Sequence, residues 1–78
     1  MTADPAGAPR IVPVRAVPID LSQFLKFAGL FDSGGEAKAA IHAGEVRLNG
    51  AVETQKGKKL QVGDQVSCGA ETLVVQLG

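Results

Sequence analysis

Apolar residues recur in two rhythms, a helical one in the first half of the chain and a strand-like one in the second. Leu21, Phe24, Leu25 and Ala28 stand at i, i+3, i+4 and i+7, the spacing of one buried helical stripe. Asp20 is a good N-cap, Gln23 follows three residues later, and Ile19 is placed to staple onto Phe24. Gly29 supplies a left-handed stop with Leu30 folding back on Leu25, so a helix of about two turns is predicted. In the second helix Ser33 and Glu36 have capping-box spacing, Ala37, Ala40 and Ile41 share one face toward the first helix, and Gly44 ends it.

Alternation takes over at Val46 and Leu48, which flank Arg47, and Asn49-Gly50 is a strong signal for a type I′ hairpin turn. The return segment Ala51-Val52-Glu53-Thr54 alternates poorly. A two-residue turn sets Glu53 opposite Val46, so a bulge or a different turn stays open. Leu60 and Val62 resume the alternation, Gly63-Asp64 turns the chain, and Gln65-Val66-Ser67-Cys68 reads as a strand. After Gly69-Ala70, the run from Glu71 to Leu77 is the most strand-like segment present. The expected fold class is α+β, with two packed N-terminal helices against a small, mainly antiparallel sheet.

All four prolines, Pro5, Pro9, Pro13 and Pro18, fall in the first eighteen positions among alanines. Residues 1–18 therefore read as a flexible lead-in, disordered to about residue 10, with an edge strand open to residues 15–19. Residues 19–78 make one domain, and 78 residues leave no room for a second. A hydrophobic content of 45% supports a small real core rather than wholesale disorder. Phe24, Phe27 and Phe31 are the only aromatics and read as core residues, with Phe27 the first candidate for an exposed exception.

Eight basic and eight acidic residues cancel, so any electrostatic reading has to come from local distribution. Cys68 is the single cysteine, which excludes an internal disulfide and a multi-cysteine zinc site and suits a reducing cytoplasm. Neither a secretory leader nor a membrane-length apolar run is visible, and a soluble cytoplasmic protein is expected. One histidine, one cysteine and scattered carboxylates offer no nucleophile, base or ligand set, so no enzyme, metal or cofactor is expected. Gly34-Gly35 lacks the frame of a phosphate-binding loop.

A dispersed basic surface remains. Gly34, Gly35, Lys38 and His42 share one face of the second helix, the glycines leaving N–H groups open at its positive end. His42 reads as a surface residue. Arg47 and Asn49 of the hairpin lie on the same side if helix and hairpin pack together, with Lys56, Lys58 and Lys59 at the rim. Glu36 and Glu45 interleave with this set and weaken it. Few free aromatics and a compact positive patch suit structured RNA, read by its phosphates and shape.

The run Ser33-Gly34-Gly35-Glu36-Ala37-Lys38-Ala39-Ala40-Ile41-His42-Ala43-Gly44, then Glu45-Val46-Arg47-Leu48-Asn49-Gly50, later Lys59-Leu60 and Val62-Gly63-Asp64-Gln65-Val66, carries a family resemblance. It resembles the RNA-binding domain named after the ribosomal small-subunit protein S-four, the alpha-L motif, over about residues 19–77. Leu21, Phe24, Leu25 and Lys26 ahead of Gly29-Leu30 match its short stand-alone bacterial members. The resemblance implies two helices packed on a small sheet, with RNA contacts from the second helix and the hairpin. These map to Ser33, Lys38, Arg47, Lys56, Lys58 and Lys59. Gly34 departs from the family pattern, where many members carry an arginine.

The resulting expectation is a noncatalytic, monomeric protein that binds ribosomal or transfer RNA or a ribosomal particle. A protein adaptor is the alternative. A ubiquitin-like carrier is prompted by Leu77-Gly78 and opposed by the helices preceding the strands.

Overall fold

The computed structural model describes residues 9–78. Seven strands and two helices follow one another as β1 (Pro9–Val14), β2 (Ile19–Asp20), α1 (Leu21–Phe27), α2 (Gly34–His42), β3 (Val46–Leu48), β4 (Ala51–Val52), β5 (Lys59–Leu60), β6 (Gln65–Cys68) and β7 (Glu71–Leu77). Five strands form one sheet in the order β1-β7-β6-β3-β4, and β2 pairs with β5 in a separate antiparallel ribbon. Within the larger sheet only β1 and β7 run parallel. The α+β class with a mainly antiparallel sheet matches expectation. No helix among the described residues is long and apolar enough to cross a membrane.

The placement of the helices at the N-terminal end of the fold needs correction, because two strands precede them. The lead-in expected over residues 1–18 is strand from Pro9 to Val14, with Val12 and Val14 buried in the core. Its portion over residues 1–8 lies outside the described residues. Two prolines in this strand cost no ladder bond. Gly78 N–H donates to the Val14 carbonyl, so Val14, and with it Val12 and Arg10, points its backbone groups at β7. Pro9 and Pro13 take the alternate phase, where the missing N–H would face the open edge of the sheet. Residues 15–18 bend instead of forming an edge strand, and only Ile19–Asp20 is extended there.

Both helices end on the same device. Gly29 N–H donates to the Lys26 carbonyl and Leu30 N–H to Leu25; Gly44 N–H donates to Ile41 and Glu45 N–H to Ala40. Each is a complete Schellman closure, with the glycine at positive φ, +84° and +80°. Glu36 N–H donates to the Ser33 hydroxyl at 3.2 Å, while the Glu36 carboxylate accepts from Asp32 N–H at 3.1 Å, one residue outside the usual box. Asp20 occupies the N-cap position of α1 but caps nothing with its side chain, which instead pairs with Lys59.

Leu21, Phe24 and Leu25 from α1 and Ala37, Ala40 and Ile41 from α2 pack with Val12, Val14, Val46, Leu60, Val66, Leu73 and Val75 in one core. The helices thus cover one face of the sheet. Asn49 and Gly50 both take positive φ, so the hairpin turn is the two-residue type, without a bulge. Glu53 does lie opposite Val46, donating its N–H to the Val46 carbonyl at 3.0 Å. Val62 is exposed because it lies in the turn it forms with Gly63, after β5 has ended at Leu60.

Candidate nucleic-acid interface

Helix α2 sorts its charges by geometry. Glu36, Ala39, Ala40 and Ala43 recur at i, i+3, i+4 and i+7 and line, with Phe31 and Glu45, a shallow hollow on one flank. Lys38 is two residues, about 200° of turn, from Glu36, and Gly34, Lys38 and His42 follow one another at steps of four residues along one side of the helix cylinder. Gly34, Gly35, Lys38 and His42 therefore share the flank opposite Glu36. An interleaving that weakens the patch in the sequence is largely undone by the helix. Lys38 and His42 are both exposed.

Arg47 leaves the fold from another layer. Val46 and Leu48 point into the core, so Arg47 projects from the sheet face turned away from the helices. There it registers with Ser67, and Ser67 with Thr72, in a row across β3, β6 and β7. These three side chains, with Gly44, Glu45 and Gly50 among others, line an open concavity. Lys38 and Arg47 thus do not share the single face expected of them. Ser67 and Thr72 escape sequence reading because only long-range strand register brings them beside Arg47.

Asn49 is committed structurally. Its amide donates to Asp64 Oδ1 at 3.3 Å and accepts from Gln65 N–H at 3.0 Å, binding the hairpin tip to the start of β6. Lys59 is held by its ion pair with Asp20. Lys56 and Lys58 are different: their backbone carbonyls accept from Ser22 N–H at 3.3 Å and Leu21 N–H at 2.9 Å, while their side chains stay exposed. The lysine loop thereby satisfies N–H groups that the first turn of α1 would otherwise leave orphaned. Among the described residues, Lys38, Arg47, Lys56 and Lys58 have no carboxylate within ion-pair distance.

Gly34 and Gly35 open the N-terminus of α2. A Cβ at Gly34 would meet no atom within 4 Å, and one at Gly35 only the Ser33 hydroxyl at 3.8 Å. Burial pushes the Cys68 thiol above its ordinary value of 9.0, and the nearby Glu45 carboxylate adds to the effect, so this sulfur is not an activated nucleophile. No three His, Cys, Asp or Glu side chains among the described residues are grouped to hold a metal ion.

A family model described as the S4 domain matches residues 12–76. YbcJ of Escherichia coli (strain K12), a candidate RNA-binding protein by name, is 40% identical over 57 residues, covering 73% of this chain and 81% of YbcJ. RlbA of Bacillus subtilis (strain 168), by name a candidate ribosome maturation protein, is 46% identical over 48 residues, 62% of this chain and 68% of RlbA. A tyrosine–tRNA ligase of Ralstonia nicotianae is 36% identical over 75 residues, which are 92% of this chain but only 17% of the ligase. The solution structure of E. coli YbcJ, described as revealing an alpha-L motif involved in RNA binding, superposes with a TM-score of 0.66 at 32% identity. That superposition covers 96% of this chain and 94% of YbcJ.

Proposed function

The chain belongs to the S4 domain family, and from that premise we propose that it is a noncatalytic, monomeric cytoplasmic protein that binds structured RNA. The RNA is ribosomal or transfer RNA, free or on a ribosomal particle. The observation that carries this reading is the sorting of charge on α2, which leaves Lys38 with Gly34, Gly35 and His42 on a flank free of Glu36. Lys38 and Arg47 make the principal phosphate contacts, and Lys56 and Lys58 extend them. Ser33 and Asn49 act through structure, holding the helix start and the hairpin tip, and Lys59 is partly neutralised by Asp20. The ribosome-maturation name of RlbA and the small share of the ligase that is matched both favour an RNA-docking role without chemistry. With the family assigned, the ubiquitin-like carrier reading falls away.

Titration of the purified chain with fragmented ribosomal RNA and with transfer RNA over a range of salt tests the reading. Each phosphate contact removed should flatten the plot of log affinity against log salt by about 0.7–0.9. Lys38→Ala with Arg47→Ala is therefore expected to lose roughly 1.4–1.8 of slope; unchanged slope and affinity would refute the assignment. The adaptor reading draws on Ile11 and Val52, large apolar side chains left exposed on the sheet. Partners that co-purify after complete nuclease digestion would favour it.

A further inference from the structure

The exposed face of α1 carries a group that the phosphate contacts above leave unused. Of the three phenylalanines, Phe24 is fully buried and Phe31 half-buried, whereas Phe27 is 56% exposed. It is the one aromatic among the exposed large apolar side chains of the described residues, with more than half its surface left in water. Its surroundings are cationic. Lys26 precedes it, exposed, and Gln23 lies one turn back on the same helical face. The Arg10 guanidinium is anchored one residue beyond it, donating to the Ala28 carbonyl at 2.7 Å. At the other end of the helix, about 10 Å away, the lysine loop brings Lys56 and Lys58 to the first turn.

A flat exposed ring with cations on neighbouring residues fits a base with its own phosphates better than it fits an apolar protein side chain. A duplex offers phosphates but keeps its base faces stacked internally, while an unpaired nucleotide presents both. We infer that Phe27 is a stacking platform for one unpaired nucleobase of the bound RNA, with Lys26 and Arg10 taking the flanking phosphates. The inference rests on the RNA-binding reading and sharpens it: the ligand contains a loop, bulge or single-stranded end beside its helical part.

The chain contains neither tryptophan nor tyrosine, so Phe27→Trp installs a lone indole reporter at the site itself. Fragmented ribosomal RNA is expected to bind this variant at least as tightly as the parent and to quench its emission, whereas a fully paired mixed-sequence duplex is expected to leave emission unchanged. Phe27→Ala and Phe27→Leu should each weaken binding of the fragmented RNA by about 5- to 150-fold, because leucine keeps apolar area without a π-face. Circular dichroism checks that these exposed substitutions leave the fold intact. Saturating RNA that does not alter the indole emission, equal quenching by the duplex, or parental affinity in Phe27→Ala would each overturn the stacking role while leaving RNA binding standing. Failure of the parent chain to bind any of these RNAs overturns both.

Discussion

Gly34 and Gly44 are ten positions apart and serve opposite demands. Gly44 stands at φ +80°, where a side chain would be strained by about 1–2 kcal/mol, and its freedom closes the Schellman bonds that end α2. Gly34 has no such constraint and has open space where a side chain would go. A basic residue is therefore accommodated at Gly34, on the flank shared with Lys38. Gly34→Arg is expected to raise RNA affinity and to steepen the log–log salt dependence by about 0.7–0.9, with thermal stability held or slightly raised, as salt titration and a melting curve will show. Such local features were the most legible in the sequence. Ser33, Gly29 and Gly44 each act through bonds to residues at most five positions away, and Asn49-Gly50 turns the chain through its own positive φ angles, so spacing alone locates them. Asp20 misled for the same reason: it sits at a helix start, yet its carboxylate is drawn to Lys59, a partner 39 positions on that local spacing does not reveal.

Among the elements, the loop over residues 55–58 shows backbone and side chains put to separate uses. Its carbonyls receive the first N–H groups of α1, and its lysine side chains stand in solvent. Replacing Lys56 and Lys58 by alanine should therefore leave the melting temperature nearly unchanged, since exposed substitutions of this kind usually stay within about 0.5 kcal/mol. The same double variant should lose up to roughly 1.4–1.8 of salt slope if both lysines meet phosphates. A bare cluster of lysines looks like an ordinary solvated loop in the sequence. Its attachment to α1 becomes visible only with the β2–β5 ribbon, two residues on each side, which is too short to leave a periodic signature. The helices were easier to recognise because each combines a cap, a stripe and a glycine stop. The stripe of α2 already sets Lys38 and His42 on one face; what it left open was how that face meets the hairpin, and Val46 and Leu48 packing inward, with Arg47 on the far side of the sheet, answers it.

The whole molecule depends on the strand that local reading turns into a tail. Proline content argues against a strand at Pro9–Val14, and the argument fails only because an edge position and the right phase make the missing donors irrelevant. Val12 and Val14 are 5% and 2% exposed. Each valine-to-alanine change should cost about 2 kcal/mol from lost burial and incomplete collapse of the cavity. In a domain of this size the pair should lower the melting temperature by roughly 15–30 °C, whereas Ile11→Ala, on the solvent face of the same strand, should move it little. A dispensable tail would show no difference between the two variants in calorimetry. The parallel pairing of β1 with β7 also orders events during synthesis. β1 leaves the ribosome well before the strand it pairs with: at about 5–20 residues per second, the roughly sixty residues from Pro9 to Thr72 take some 3–12 s to add. Through that interval Val12 and Val14 have no sheet to join, and the nascent chain carries an unmatched apolar segment that only the final strand can retire.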